Sequence, residues 1–153
     1  MKIRKATPKD ALAIKDMIEK LSKEGVSLHS GALKKQTAGW ETVKSTAKIK
    51  KQMKSKKYIY FVAEKDKKII GFITGELMRA PRTTEGFVSD IYVYPEYRKQ
   101  AIGKKLMAEF ARWTKSRNCN WMSLMVYTRN KKGKKFYERL GFDDVVEIMK
   151  KKI

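Results

Sequence analysis

The stretch "IYVYPEYRKQAIGKKLM", residues 91–107, leads from an apolar strand into an amphipathic helix. Pro95 ends the strand, because proline has no N–H to donate to a neighbouring strand. The loop after it is basic at Arg98 and small at Ala101 and Gly103, where a ligand could approach the backbone closely. The first N–H groups of a helix lack partners within the helix and attract anions. This pattern predicts a phosphate-binding turn, with an ordinary connection carrying solvated basic residues as the alternative.

Apolar patterns outward from this stretch predict a mixed sheet flanked by helices, an α/β (α+β) fold. Thr7, Pro8 and Asp10 form a capping pattern that marks the start of the first helix. Residues 26–54 are the hardest to interpret, and their apolar positions indicate one helix that ends in a lysine-rich turn. The predicted strands are residues 2–6, 58–64, 69–78, 86–94, 121–127 and 142–149, and the clearest predicted helices are residues 8–24, 102–117 and 130–140.

Length and charge limit what the chain can be. Its 153 residues are enough for one domain with a proper core and too few for two. Lys and Arg number 37 against 16 Asp and Glu, which gives a formal net charge of +21. Such a field attracts polyanions, including nucleic acid, an acidic membrane surface or a phosphorylated cofactor. A lysine-rich solvated surface of the kind found in heat-adapted proteins explains the charge equally well.

The scarcity of cysteine and histidine argues against several kinds of site. Cys119 is the single cysteine, so no internal disulfide can form, and it is expected to be a small buried residue. His29 is the single histidine, so neither a histidine-based metal site nor a Ser-His pair is expected. The N-terminus lacks the apolar run of a signal peptide, and no stretch approaches the length of a membrane span. These features predict a cytoplasmic protein with no metal and no membrane partner.

Two linked motifs carry a family resemblance. The pattern R/Q-x-x-G-x-G/A falls on Arg98, Ala101 and Gly103. An asparagine followed by a short helix that ends in Tyr-x-x-Leu-Gly-Phe appears as Asn130 and the run beginning at Tyr137. A helix and a strand separate the two motifs. In this order they resemble the acetyl-CoA signatures of the GCN5-related N-acetyltransferase (GNAT) family, and the resemblance covers nearly the whole chain.

This resemblance implies a fold, a cosubstrate and a set of binding residues. The fold is a single domain, residues 1–153, with about six strands in a mixed, mostly antiparallel sheet and about four helices. The reaction is direct transfer of the acetyl group of acetyl-CoA to a primary amine, without an acyl-enzyme. By resemblance, the pantetheine arm contacts Ile91, Tyr92 and Val93 on one side and Asn130 and Tyr137 on the other, and the pyrophosphate lies against Arg98, Lys99, Gln100, Ala101, Ile102, Gly103 and Lys104.

The catalytic residues follow the family less closely. Tyr137 resembles the family's general acid, and its alternative role is packing beside its neighbours. Relatives often carry a glutamate base where this chain has Ser89 or Met125, so Asp90 is the nearest candidate base, acting through water. Strand alternation is expected to aim Asp90 opposite to Ser89. Ala101 replaces a loop glycine, a mild change if the backbone there keeps a negative φ. Glu41, Glu76 and Glu85 are further candidate carboxylates for the lining of an acceptor cleft.

The acceptor and the partners stay open at this point. Protein N-termini, lysine side chains, polyamines, amino sugars and amino acids are all candidate acceptors, and relatives often form homodimers. A degenerate member that senses acyl-CoA without turnover is one alternative, because the expected glutamates are missing. A basic nucleic-acid-binding module is another, supported by the charge alone. The aromatic residues interleaved with that charge are expected in the core: Tyr58, Tyr60, Trp113 and Trp121.

Overall fold

The structure, a computed structural model, describes residues 1–27, 45–80 and 83–145. Within these ranges it contains five strands and four α-helices, an α+β fold as predicted. The strands are β1 (Lys2–Lys5), β2 (Tyr58–Lys65), β3 (Lys68–Ala80), β4 (Thr83–Val93) and β5 (Met122–Leu124). The helices are α1 (Ala11–Ser27), α2 (Thr46–Met53), α3 (Ile102–Ser116) and α4 (Lys131–Glu138).

The strands form one mixed sheet in the order β1-β2-β3-β4-β5. The first four pair antiparallel, and β5 pairs parallel to β4 over three residues. The predicted strand over 121–127 is therefore much shorter than its apolar pattern suggests. The prediction of a strand over 142–149 is wrong for residues 142–145, which have no regular structure, and its remainder lies outside the described residues.

The start of α1 follows the predicted capping pattern. Pro8 begins a single 3-10 turn, and the Asp10 carboxylate accepts hydrogen bonds from the Thr7 N–H at 2.7 Å and the Thr7 hydroxyl at 3.0 Å. Two guanidinium nitrogens of Arg4 also donate to Asp10, at 2.8 and 2.9 Å. The hydrogen-bonded guanidinium holds the pKa of the Asp10 carboxyl below its ordinary value. This ion pair fastens β1 to the beginning of α1.

Each face of the sheet carries a packed layer. On one face, Ile14 and Met17 of α1 and Ile49 of α2 pack with strand residues that include Phe72 and Tyr92. The other face carries α3, whose four residues predicted to form an apolar stripe are all buried: Ile102, Leu106, Phe110 and Trp113. The core therefore lies on both sides of the central strands β2, β3 and β4.

One of the expected core aromatics is not in the core. Tyr60 and Trp113 are buried and Tyr58 is half-buried, but the side chain of Trp121 is 67% exposed. The prediction for Trp121 was wrong because this residue precedes β5, and β5 is too short to provide a large packing surface. The Trp121 carbonyl still joins the sheet by accepting a hydrogen bond from the Gly86 N–H at 3.0 Å.

The described residues fall into two compact units. The first consists of residues 1–21, 45–80 and 83–125, and it contains the whole sheet with α2 and α3. The second consists of residues 22–27 and 126–145, and it contains α4. The two sequence motifs are divided between them, because residues 91–107 belong to the first unit and residues 130–142 belong to the second.

Candidate functional site

A β-bulge in β4 lies just before the motif strand. Thr74 of β3 pairs with Asp90, and the next residue, Gly75, pairs with Val88, so Ser89 is an extra residue in β4. The bulge reverses the alternation of faces. Val88 lies on the α3 face with Gly75, and the half-buried Asp90 lies on the α1 face with Thr74. Regular alternation would put Val88 and Asp90 on one face, so it breaks within residues 88–90, and the expected opposition of Ser89 and Asp90 stays a prediction.

Beyond the bulge, β4 loses its neighbour on one side. The parallel pairing with β5 ends at Val88, opposite Leu124. Residues 91–93 continue the antiparallel ladder with β3, while no described strand of the first unit pairs with their other edge. Ile91 and Val93 are half-buried and Tyr92 is buried. This edge is the part of β4 on which the sequence predicts contacts with an extended ligand.

The loop from β4 to α3 has an unusual backbone. It contains a 3-10 turn, Pro95–Tyr97, and then two residues with left-handed backbone, Lys99 at φ 63° and Ala101 at φ 57°. The expectation of a mild glycine replacement required a negative φ at Ala101, and that condition is not met. A left-handed residue with a Cβ costs roughly 1–2 kcal/mol, so this alanine strains the turn where glycine would not.

The same loop presents a row of unused hydrogen-bond donors. Among the described residues, the backbone N–H groups of residues 99–104 find no acceptor, and the helical ladder of α3 begins only with the Lys105 N–H and the Ala101 carbonyl at 3.0 Å. Ala101, the N-cap residue, has no side chain that could cap the helix. Successive N–H groups around left-handed residues at a helix start form an anion-binding concavity. The exposed ammonium groups of Lys99 and Lys104 add positive charge there.

Arg98 braces this loop against the strand that precedes it. Its Nε donates to the Val93 carbonyl at 2.8 Å, and its guanidinium carbon lies 5.2 Å from the centroid of the Tyr92 ring. The guanidinium thus holds the end of β4 and the start of the turn together. In this position Arg98 shapes the loop through its hydrogen bond and ring contact, a role that the basic character of the motif alone did not reveal.

Tyr94 fixes the beginning of the loop to α1, a contact that no pattern in the sequence signals. Its hydroxyl donates to the Asp16 carboxylate at 2.6 Å, and the Lys20 ammonium lies 5.6 Å from its ring centroid. Burial, and then the hydrogen bond to the carboxylate, raise the pKa of the Tyr94 phenol above its ordinary value. Tyr94 therefore stays neutral at physiological pH and keeps donating to Asp16.

In the second unit the residues of the other motif form a capped short helix. Asn130 is the N-cap of α4, and its side-chain oxygen accepts from the Gly133 N–H at 2.9 Å. Gly133 is required there, because a Cβ would lie 2.5 Å from the Asn130 amide nitrogen. Tyr137 is half-buried between Phe136 and Phe142, with ring centroids 5.3 and 6.0 Å apart. Gly141, at φ 86°, ends the helix in the left-handed conformation that its position predicts.

The other candidate carboxylates already have partners. Glu76 accepts from the Lys57 ammonium at 2.7 Å, and Glu85 accepts from the Ser123 hydroxyl at 2.5 Å. Glu41 lies outside the described residues. Cys119 is 3% exposed, as expected for a small buried residue. Within the described part of the chain, no three His, Cys, Asp or Glu residues are grouped so that they could hold a metal ion.

A match to a family profile identifies the protein family of this chain. The profile of the acetyltransferase (GNAT) family matches residues 26–142. The chain belongs to the GNAT family. The resemblance of the two motifs is thereby confirmed, and the match spans parts of both compact units. The assignment of individual site residues stays a prediction.

Known GNAT relatives differ in how much of the chain they match. Thialysine N-epsilon-acetyltransferase of Bos taurus is 38% identical over 61 residues, which are 40% of this chain and 36% of that protein. The chain thus covers little more than a third of the length of this curated relative.

Among the described ranges, no helix has the length and hydropathy that crossing a bilayer requires.

Solved structures match nearly the whole chain. A tetramutant of a Bacillus halodurans protein superposes with a TM-score of 0.83 at 19% identity, covering 100% of both chains. A predicted acetyltransferase from Clostridium acetobutylicum, solved with acetyl-CoA, gives a TM-score of 0.74 at 18% identity and covers 99% of this chain and 95% of that one. These likenesses confirm the predicted GNAT fold, with five described strands where about six were expected.

Proposed function

We propose that this GNAT chain is an acetyl-CoA-dependent N-acetyltransferase that acetylates a primary amine, with residues 1–153 acting as one cytoplasmic domain. The observation that carries the proposal is the row of N–H groups over residues 99–104 that have no acceptor among the described residues, in the loop that follows β4. A diphosphate with an extended arm is the ligand chemistry that this loop and strand fit. The acetyl-CoA in the Clostridium acetobutylicum structure supports this choice.

The loop fits the diphosphate of CoA in both shape and charge. The N–H groups of residues 99–104 and the dipole of α3 supply donors to phosphate oxygens, and Lys99 and Lys104 supply cations. Arg98 holds the turn to the Val93 carbonyl. Its side chain is exposed, and we expect the guanidinium to lie near the bound diphosphate as well. The pantetheine arm is proposed to lie along β4 at Ile91, Tyr92 and Val93, on the side where no described strand pairs with β4, as a further strand would.

Acyl transfer needs a proton acceptor for the amine and a proton donor for the leaving thiolate. Asp90 is the proposed acceptor, because the bulge places this half-buried carboxylate at the beginning of the proposed pantetheine edge. Tyr137 is the proposed donor, because an unperturbed phenol has a pKa near 10 and stays protonated at pH 7. Asn130 is proposed to contact the pantetheine arm. The roles of Asn130 and Tyr137 rest on the family motif within the second unit.

A catalytically silent acyl-CoA sensor is the second candidate function. It is favoured by Ser89, an extra residue at the bulge with no carboxylate where relatives often have one. A homodimer stays a prediction.

The test of function combines binding with turnover. Saturating acetyl-CoA, at about 100 times its Kd, is expected to stabilise the fold by about 2.7 kcal/mol and to raise the thermal midpoint by roughly 5–10 °C. Thiol release is then followed over a panel of amines that includes thialysine, polyamines, amino sugars and peptides with free N-termini. Release above hydrolysis with one amine supports the enzyme. A thermal shift with silence across the panel supports the sensor, and no shift at all contradicts both.

Tyr137→Phe is expected to lower kcat by about 10²- to 10⁴-fold, because general-acid catalysis contributes that much to a transfer step. The change keeps the ring contacts with Phe136 and Phe142 and leaves the loop intact, so the Kd for acetyl-CoA should not change. Single-turnover kinetics would measure the chemical step, and Phe136→Leu serves as a control that alters packing without removing a hydroxyl. Equal single-turnover rates for wild type and Tyr137→Phe would leave Tyr137 as a packing residue.

A further inference from the structure

Helix α2 and the turn after it carry an unusual concentration of positive charge. Between residues 45 and 57 the sequence has six lysines and no Asp or Glu. Lys57 is paired with Glu76, and the other five are exposed and form no ion pair with a described residue. We call these five the α2 lysine cluster: Lys48, Lys50, Lys51, Lys54 and Lys56.

The cluster is held outward by the packing of α2. Ile49 is completely buried, and Gln52 and Met53 are partly buried on the same side of the helix. The Gln52 side chain accepts a hydrogen bond from the buried Tyr60 hydroxyl at 2.5 Å. With 100° between successive residues, Lys51 and Lys54 point away from that side, and Lys48 and Lys50 flank it. The orientation of the charged face is therefore fixed by the packing of α2 on the core.

The charge pattern differs from an evenly charged surface. Heat-adapted surfaces interleave lysines with glutamates in ion-pair networks. Helix α1 is of that kind, since Lys15 pairs with Glu19 and Lys20 pairs with Asp16. Next to the α2 lysine cluster, Asp10 is already held by Arg4. The cluster thus lacks described counter-charges, and its field is available to a ligand.

We propose that the α2 lysine cluster binds the phosphate backbone of a nucleic acid. Helix α2 is about 12 Å long, and duplex DNA carries a charge every ~1.7 Å, so about seven phosphates lie within its length. The exposed face has no large apolar side chain to insert into a membrane, as interfacial helices do. It also lacks the aromatic and arginine anchors of protein interfaces, in which lysine is depleted. Contacts between lysines and phosphates carry no sequence information, so the proposed binding is independent of base sequence.

The cluster shares no residue with the proposed acetyl-CoA loop, and its proposed binding does not depend on acetyl transfer. An enzyme held on nucleic acid would meet amines that are bound there, whichever acceptor it acetylates. Binding of nucleic acid should accordingly persist when the acetyl-CoA site is filled.

The test measures fluorescence anisotropy of a labelled random-sequence DNA duplex of about two helical turns, in about 50 to 200 mM salt. Lys48→Gln/Lys51→Gln/Lys54→Gln is compared with Lys5→Gln/Lys67→Gln/Lys68→Gln, which changes exposed lysines elsewhere in the first unit. Both variants lower the formal net charge by three from +21. Glutamine preserves helix propensity in α2, and the control positions are exposed, so both variants should keep nearly the wild-type thermal midpoint.

For the α2 variant, the slope of log affinity against log salt should become shallower by about 2.7 units, and affinity at low salt should fall at least tenfold. The control variant should keep most of the wild-type slope, and saturating acetyl-CoA should not displace the duplex. Equal losses in the two variants would overturn the proposal in favour of a general field effect. Tighter binding to phosphatidylserine vesicles than to the duplex, or no duplex binding at low salt, would also overturn it.

Discussion

Gly75→Ala is expected to lower the thermal midpoint of the protein by roughly 6–12 °C, which corresponds to a loss of about 3 kcal/mol. A Cβ at Gly75 would lie 2.3 Å from the Phe87 carbonyl oxygen and 2.5 Å from the Phe110 ring. The oxygen belongs to the neighbouring strand and the ring belongs to the core of α3, so neither can move without disturbing the sheet. Differential scanning calorimetry without ligand measures the effect.

Gly71→Ala is the matched control for this change. It lies in the same strand, and its nearest obstacle to a Cβ is the Tyr92 carbonyl oxygen at 2.9 Å. Both substitutions restrict the unfolded chain equally, so the difference between them isolates the contacts at Gly75. The double variant Gly75→Ala/Phe110→Leu should recover part of the loss if the ring is an obstacle. Equal midpoints for the two single variants would show that Gly75 is not needed for the α3 contact.

Gly75 also lies at the β-bulge, which the sequence could not reveal. The bulge at Ser89 arises where Thr74 and Gly75 meet β4, and pairing with the neighbouring strand β3 determines it. A period-two pattern read along β4 alone assumes that the side chains alternate between the two faces without a break. The bulge breaks this alternation, so the pattern could not show on which face Asp90 lies. Local signals succeeded where the cause is local. The Thr7–Asp10 capping pattern and the stop at Gly141 depend on neighbouring residues and were both correct.

The candidate site shows the same division between local and distant causes. Pro95 and the small residues of the motif predict where the free N–H groups lie, because helix starts always leave them. They do not predict that Ala101 has a left-handed backbone or that Arg98 donates to Val93, since both depend on how the turn folds back on the strand. The link from Tyr94 to Asp16 joins residues far apart in sequence, and no periodicity signals such a pair.

Gly103→Glu is expected to raise the Kd for acetyl-CoA at least 100-fold, about 2.7 kcal/mol, and to remove the ligand-induced thermal shift. Gly103 is the second residue of α3, and its N–H is among those without a described acceptor. A carboxylate there adds bulk and a like charge beside the proposed diphosphate. Isothermal titration calorimetry measures the affinity, and scanning calorimetry measures the shift.

The same substitution should leave the fold at least as stable as before, which separates lost binding from unfolding. Glutamate has a higher helix propensity than glycine, and in the first turn it interacts favourably with the helix dipole by about 0.3–1 kcal/mol. Gly103→Gln separates bulk from charge. Ala108→Glu puts the same charge at an exposed position of α3 and should bind acetyl-CoA almost normally. Unchanged affinity in Gly103→Glu would mean that the loop does not hold the phosphates. Equal losses of affinity in Gly103→Glu and Ala108→Glu would assign the effect to the long-range field of the added charge. Only a direct contact with the diphosphate would make the two carboxylates on this helix differ.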